Sequence, residues 1–174
     1  MAGKCASAVI RLLPITPAIV AAVAQPDGFT QLTGVELGEV AALLQDVVAQ
    51  GEAHRAETGA PPEWGGFVVI DDAANQVVGT CAYTGGPDAA GNVEIAYFTF
   101  PPYERQGHGT AMAGALLAHA TASGAIRVVY AYTLPEQNAS TRILIRHGFT
   151  RVGAAEDPEV GLVWRWERRL APAT

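Results

Sequence analysis

Lysine is almost missing from this chain: Lys4 is the only one, and arginine supplies the other ten of the 11 basic residues. A Walker-type phosphate loop needs Gly-Lys-Ser/Thr behind its glycines, so nucleotide triphosphate hydrolysis by that device is excluded. Cysteine is scarce too. Cys5 and Cys81 are too few for a disulfide framework and match no metal-ligand spacing. Cys81 falls in an extended run, Val77 to Tyr83, and reads as a small core residue rather than an acyl carrier. Net positive charge is absent. A balance of −6 argues against a general nucleic-acid surface and favours cationic partners such as amines. No apolar run approaches the roughly 18 residues of a membrane helix, and Arg11 and Pro14 interrupt the apolar start before a signal-peptide core can form. The expectation is a cytoplasmic protein without a membrane or nucleic-acid partner. With 174 residues, 49% hydrophobic and 16% charged, the whole chain, 1–174, is expected to form one domain that buries about 70% of its unfolded surface.

What is present centres on Glu94 to Leu117. Val93 to Phe100 is rich in β-branched and aromatic residues, Pro101-Pro102 stops it, and Gly107 to Ala122 reads as an apolar helix without a breaker. Between them, Gln106-Gly107-His108-Gly109-Thr110-Ala111 has little side-chain bulk. Unpaired N–H groups at the helix entry, reinforced by the helix dipole, can therefore converge on a phosphate. A dinucleotide fingerprint fits poorly. Gly107 and Gly109 supply its first two glycines, but Met112 fills the third place, and no acidic residue follows in Arg127 to Tyr132.

A third design fits. Gln106, Gly109 and Ala111 match every fixed position of Gln/Arg-x-x-Gly-x-Gly/Ala, the pyrophosphate loop of acyl-CoA-dependent acyltransferases. Downstream, Asn138-Ala139-Ser140-Thr141 through Arg146-His147-Gly148-Phe149 is similar to an Asn-x-x-Ser…Lys-x-Gly-Phe segment. Together these motifs make the chain resemble the GNAT superfamily of N-acetyltransferases, most of all the branch with the bacterial ribosomal-protein N-terminal acetyltransferases. The resemblance spans roughly Val68 to Glu167. It departs at one point: measured back from Gly148-Phe149, the usual Asn position holds Gln137, with Asn138 one place later.

The resemblance implies an α+β fold, a splayed and mostly antiparallel mixed sheet of about seven strands flanked by about four helices. It also implies acetyl-CoA as co-substrate, no metal, and direct transfer to an amine-bearing acceptor, a small molecule or a peptide N-terminus. The cofactor would meet Phe98, Thr99 and Phe100 through their backbone and Arg105, Gln106, Gly107, His108, Gly109, Thr110 and Ala111 at its pyrophosphate. Gln137 or Asn138 would meet its pantetheine. Arg105 reads equally well as a solvated surface residue, and the His108 ring as a bystander.

The remaining elements follow from pattern. Ala8 to Leu13 is a short strand, and Pro17 to Ala24 a helix capped by Thr16. Gln25 to Thr33 reads as an exposed turn region, and Val35 to Glu57 as one long amphipathic helix with Leu37, Val40, Ala41, Leu44 and Val47 on its stripe. Gly66 to Asp71 and Gln76 to Thr84 form a hairpin. Ile126 to Leu134 is a buried strand, Ser140 to Arg146 a helix ended by Gly148, and Phe149 to Ala155 with Leu162 to Arg169 a closing hairpin. Val163 to Glu167 could offer its edge to a second copy as a homodimer.

Acyl transfer to an amine needs a base and a proton for the departing thiolate. Glu94 interrupts an apolar strand, where burial would raise its pKa; the alternative is a hydrated or ion-paired strand-start Glu. In some family members a catalytic glutamate stands about a dozen residues before the loop glutamine, as Glu94 does before Gln106. No tyrosine occurs between Gln137 and Phe149, so Ser140 is the candidate proton donor, unless it only caps its helix. Tyr130 and Tyr132 read as core, and Trp64, Trp164 and Trp166 as acceptor-site walls or sheet packing. Glu52, Glu57 and Glu63 on the acceptor side favour a cation. The rival readings are an acyl-CoA sensor without turnover and a nucleotide-binding domain.

Overall fold

The structure is a computed structural model that describes residues 8–171; Lys4 and Cys5 lie outside the described residues. The elements run β1 (Ile10–Pro14), α1 (Pro17–Val23), α2 (Gly28–Thr33), α3 (Ala41–Thr58), β2 (Gly66–Asp71), β3 (Gln76–Tyr83) and β4 (Asn92–Thr99). Then follow α4 (His108–Ser123), β5 (Val128–Thr133), α5 (Ala139–Arg146), β6 (Thr150–Asp157) and β7 (Gly161–Arg169). The seven strands form one sheet in the order β1-β2-β3-β4-β5-β7-β6. Every pairing is antiparallel except β4 with β5, whose connection passes through α4, as a parallel crossover requires. The mixed seven-stranded architecture agrees with expectation, with five α-helices among the described residues rather than about four.

Both faces of the sheet are covered over β1–β4. On one, α4 buries Met112, Ala113, Leu116, Leu117 and Ala120, and its cluster takes in Val93, Ile95 and Val129 from the strands and Leu144 from α5. On the other, Ile19, Phe29, Val40, Leu44 and Val48 from the first third of the chain pack on Val68, Ile70 and Val77. Thr16 caps α1 by accepting from the Ile19 N–H.

Three expectations are corrected. The stretch from Gln25 to Thr33 contains α2, whose Phe29 is 1% exposed and anchors the second core; the polar neighbours of one aromatic hid its role. The long helix begins only at Ala41, because Gly38 at φ +55 opens a separate 3-10 turn over Gly38–Val40. That glycine adopts a left-handed geometry no regular helix contains. Finally, Val163 to Glu167 is no free edge: β7 is paired by β5 on one side and β6 on the other, and β6 is the edge strand.

The decisive feature of the sheet is where pairing stops. Among the described residues, the β4–β5 ladder consists of Asn92↔Val128, Val93↔Val129 and Glu94↔Tyr130. Beyond it, β4 stays with β3, Ala96 opposite Ala82 and Phe98 opposite Thr80, while β5 stays with β7, Ala131 opposite Trp166. Each strand follows its other neighbour and the sheet opens. Gly79 holds β4 in that course: a Cβ there would lie 2.2 Å from the Phe98 carbonyl oxygen and 2.7 Å from Met112 Cε.

Candidate active site

At one end of the split lies the start of α4. Arg105 (φ 61) and Gly107 (φ 88) both take left-handed backbone, which turns the chain sharply into the helix. The Ala111 N–H already donates to the Gly107 carbonyl at 3.0 Å. The amides of His108, Gly109 and Thr110 therefore form the free first turn, where an α-helix has no internal acceptors to offer. The His108 side chain is turned away and buried. Its Nδ1 lies 3.1 Å from the Tyr103 carbonyl and its Nε2 3.1 Å from Asp71 Oδ2. The hydrogen bond from His108 holds the Asp71 carboxyl below the usual carboxylate range. Asp71 also accepts from the Ala73 and Ala74 amides, so this pair pins the loop to the β2–β3 turn. Both ring nitrogens of His108 are thereby engaged.

Helix α5 forms the other wall. Ile143 packs so closely on α4 that a Cβ at Gly109 would stand 2.9 Å from Ile143 Cδ1, and His147 Nε2 donates to the Thr110 carbonyl at 2.8 Å. This docking brings Arg142 and Arg146, one helical turn apart, to line the same cleft of about 550 Å³ as Arg105, Gly107, His108, Gly109 and Thr110. Asn138 is the α5 cap: it accepts from the Thr141 N–H at 3.0 Å while Thr141 Oγ1 accepts from the Asn138 N–H at 2.9 Å, a reciprocal capping box. Ser140 is thereby released from capping. Its Oγ lies 3.1 Å from the hydroxyl of Tyr97, which reaches from β4 across the split. Burial pushes the Tyr97 hydroxyl up to about 12, despite the opposing hydrogen bond to Ser140.

A second cleft, of about 360 Å³, opens on the α3 face of the sheet. Its floor is Thr80, Ala82, Ala96 and Phe98, its wall Val47, Val48, Gly51, His54 and Arg55 of α3, and Trp64 closes one side. Tyr97 and Phe98 line both clefts, so the two meet there. Glu94 lies on the same β4 face as Ala96 and Phe98, directly across from Thr84, whose N–H donates to the Glu94 carbonyl at 3.2 Å. The Thr84 carbonyl in turn accepts from His54 Nε2 at 2.7 Å. Burial pushes the Glu94 carboxyl above its ordinary value, against the pull of Thr84, Arg165 and His54.

Residues 11–150 match the acetyltransferase (GNAT) domain family. The chain belongs to that family. It is accordingly an acetyltransferase-type enzyme. Solved structures share the fold at low identity. An acetyltransferase from Salmonella typhimurium that modifies the N-terminal serine of 50S ribosomal subunit protein L7/L12 aligns at TM-score 0.65 and 15% identity, over 95% of this chain and 97% of that one. RimJ of Mycobacterium smegmatis, solved with a CoA disulfide, aligns at TM-score 0.64 and 20% identity, over 92% and 82%. RimL, a ribosomal L7/L12 alpha-N-protein acetyltransferase in complex with coenzyme A, gives 0.64 and 17%, over 94% and 96%. No protein in the curated set matches the chain in sequence.

Within this GNAT domain, the residues singled out by sequence fall into two groups. Thr99, Arg105, Gly107, His108, Gly109, Thr110 and Ser140 line the cleft beside α4, and Phe98 lies where the clefts join. Phe100 does not: its side chain is fully buried in the α1–α3 core and its N–H donates to the Val78 carbonyl. Gln106 is exposed and reaches the Pro102 carbonyl at 3.5 Å, Ala111 is engaged within α4, and Gln137 is exposed outside the cleft lining. Of the tryptophans only Trp64 walls the acceptor-side cleft; Trp166 instead donates to Thr133 Oγ1 at 3.0 Å. Tyr130 and Tyr132 are half-buried rather than core, flanking Arg165, whose guanidinium stacks 4.2 Å from the Tyr130 ring and donates to the Tyr132 hydroxyl at 2.9 Å. Sequence reasoning passed over Tyr97, Arg142, Arg146 and His54. The four-residue spacing of the two arginines was a usable signal, since it puts both on one helix face. Tyr97 carried none, because an alternating strand gives an aromatic no mark of function.

Proposed function

We propose that this GNAT enzyme transfers the acetyl group of acetyl-CoA directly to a primary amine, with Glu94 as base and the Tyr97–Ser140 hydroxyl pair as proton relay. The observation that carries the reading is the meeting of two clefts at Tyr97 and Phe98. One cleft ends in free amides and arginines, a chemistry that suits a diphosphate; the other passes His54 and Thr84, which neighbour the half-buried Glu94 carboxylate without Glu94 itself lining the cleft. The α4 amides of His108, Gly109 and Thr110 hold the pyrophosphate, with Arg105, Arg142 and Arg146 around it. The unpaired edge of β4 past Glu94 offers backbone groups to the amide-bearing pantetheine arm, as an exposed strand edge does for a peptide. Structural neighbours solved with coenzyme A favour it as the co-substrate.

The acceptor enters from the α3 side as an ammonium, and Glu94 takes its first proton. The neutral nitrogen bonds the acetyl carbon and the carbon–sulfur bond breaks. The second nitrogen proton passes through the Ser140 and Tyr97 hydroxyls to the thiolate, leaving amide and free thiol; Glu94 returns its proton to solvent. A hydroxyl pushed up to about 12 is too weak an acid to protonate a thiolate near 8.5 by itself, so the pair relays a proton instead of supplying one. Following thiol release from acetyl-CoA across a panel of amines tests the reading. Amine-dependent release that Glu94→Gln abolishes while coenzyme A still binds is the expected result; release unaffected by Glu94→Gln contradicts the assignment.

A further inference from the structure

The cleft on the α3 side says what kind of amine this enzyme takes, an inference that rests on the transferase reading above. We propose that the acceptor is a small monoamine with an apolar body, taken in preference to polyamines and extended peptides. Of the three glutamates expected to attract a cation, Glu57 and Glu63 do not line the cleft and Glu52 does. Glu52 is already neutralised. Arg55 donates to both its carboxylate oxygens, at 3.1 Å from Nε and 2.9 Å from the terminal nitrogen. The surface is mainly apolar, from Ile15, Val47, Val48, Ala60, Trp64 and Ala96, and the other polar side chains that line it, among them Gln50, His54, Thr58 and Thr84, carry no negative charge. No unpaired carboxylate lines the cleft, and Glu94 stands just beyond its lining, next to Thr84 and His54; an incoming ammonium can meet it there, whereas a second ammonium left among the apolar walls would lack an anionic partner, at considerable cost.

Size and shape narrow the class further. A volume of about 360 Å³ accommodates a chain or ring of modest length, at the small end of ligand sites. The His54 Nε2–H bond to the Thr84 carbonyl, 2.7 Å long, ties α3 to the end of β3 beside Glu94. At that volume the cleft holds the whole of a small amine but little more than the first residue of a peptide, so a longer chain gains no contacts there.

The test uses the full chain with acetyl-CoA and follows thiol release over n-alkylamines of increasing length. Specificity should climb about fourfold per methylene, the transfer value of a buried CH₂, and then fall once the cleft is full. Hexylamine and 1,5-diaminopentane have the same heavy-atom length and differ in one terminal group; the monoamine should be favoured on the order of 100-fold. Gly51, on the cleft wall, has nothing within 4 Å of an added Cβ, so it accepts a side chain without strain. Gly51→Phe should shorten the longest accepted amine, and Gly51→Glu should shift preference toward the diamine, both with unchanged affinity for coenzyme A. A flat chain-length series, a diamine preferred by the unaltered enzyme, or a leucine-initiated tetrapeptide accepted tenfold better than leucinamide overturns the proposal. So does the absence of turnover with every monoamine. Coenzyme A titration, run beside it, reports cofactor binding, and turnover with any amine at all reports the transferase reading, so the two can fail separately.

Discussion

Glu94 is the residue on which the chemistry turns, because it is an acid held half-buried in a strand. Burial raises its pKa above the ordinary carboxylate value, so as a base it should switch on at higher pH than a solvated glutamate would. The acidic limb of kcat/KM should accordingly lie above about 4.3, the solution value, and should vanish in Glu94→Gln along with about 10²–10⁴-fold of the rate. The same shift affects folding. A carboxyl with a raised folded-state pKa binds protons more readily when folded, so its stabilising contribution is complete at low pH and is lost as pH rises through the folded value. Glu94→Gln should therefore be more stable than the parent near pH 7, and denaturant midpoints of the two should converge below pH 4. A parent more stable than the variant at pH 7 would place Glu94 in a compensating ion pair. Glu94 could be read from sequence as a charge inside an apolar strand. Its companion Tyr97 could not, because its partner Ser140 stands 43 positions away.

Among the elements, the strand–turn–helix from β4 to α4 was legible almost residue for residue, since glycines, prolines and an unbroken apolar helix are local signals. The acceptor side was not. It is made by α3 laid across β3 and β4, a packing that local periodicity does not encode, and Gly38 divided what read as one helix. Two substitutions test the elements that shape the split. Asn138→Ala removes the capping box of α5 and should cost about 0.5–2 kcal/mol, while also loosening Ser140 from Tyr97. Gly79→Ala places a methyl 2.2 Å from the Phe98 carbonyl oxygen and must push β4 off β3. It should lower stability by about 1–3 kcal/mol and reduce turnover by more than the unfolded fraction explains, which parallel denaturation and activity curves would show.

At the scale of the whole molecule, a chain of net charge −6 nevertheless gathers Arg105, Arg142 and Arg146 around one helix start. That local reversal of sign concentrates a polyanion where the amides can hold it. Replacing Arg142 and Arg146 together by alanine should weaken coenzyme A binding at least tenfold, the scale of one hydrogen bond to a charged group, about 1.5–3 kcal/mol. The variant should also flatten the dependence of affinity on salt. The measurement that tests the central claim most directly is calorimetric titration of the unaltered chain with coenzyme A. One molecule should bind per chain, with a dissociation constant between about 1 μM and 1 mM, and inorganic pyrophosphate should compete. The absence of saturable binding, or binding indifferent to pyrophosphate, would contradict the account.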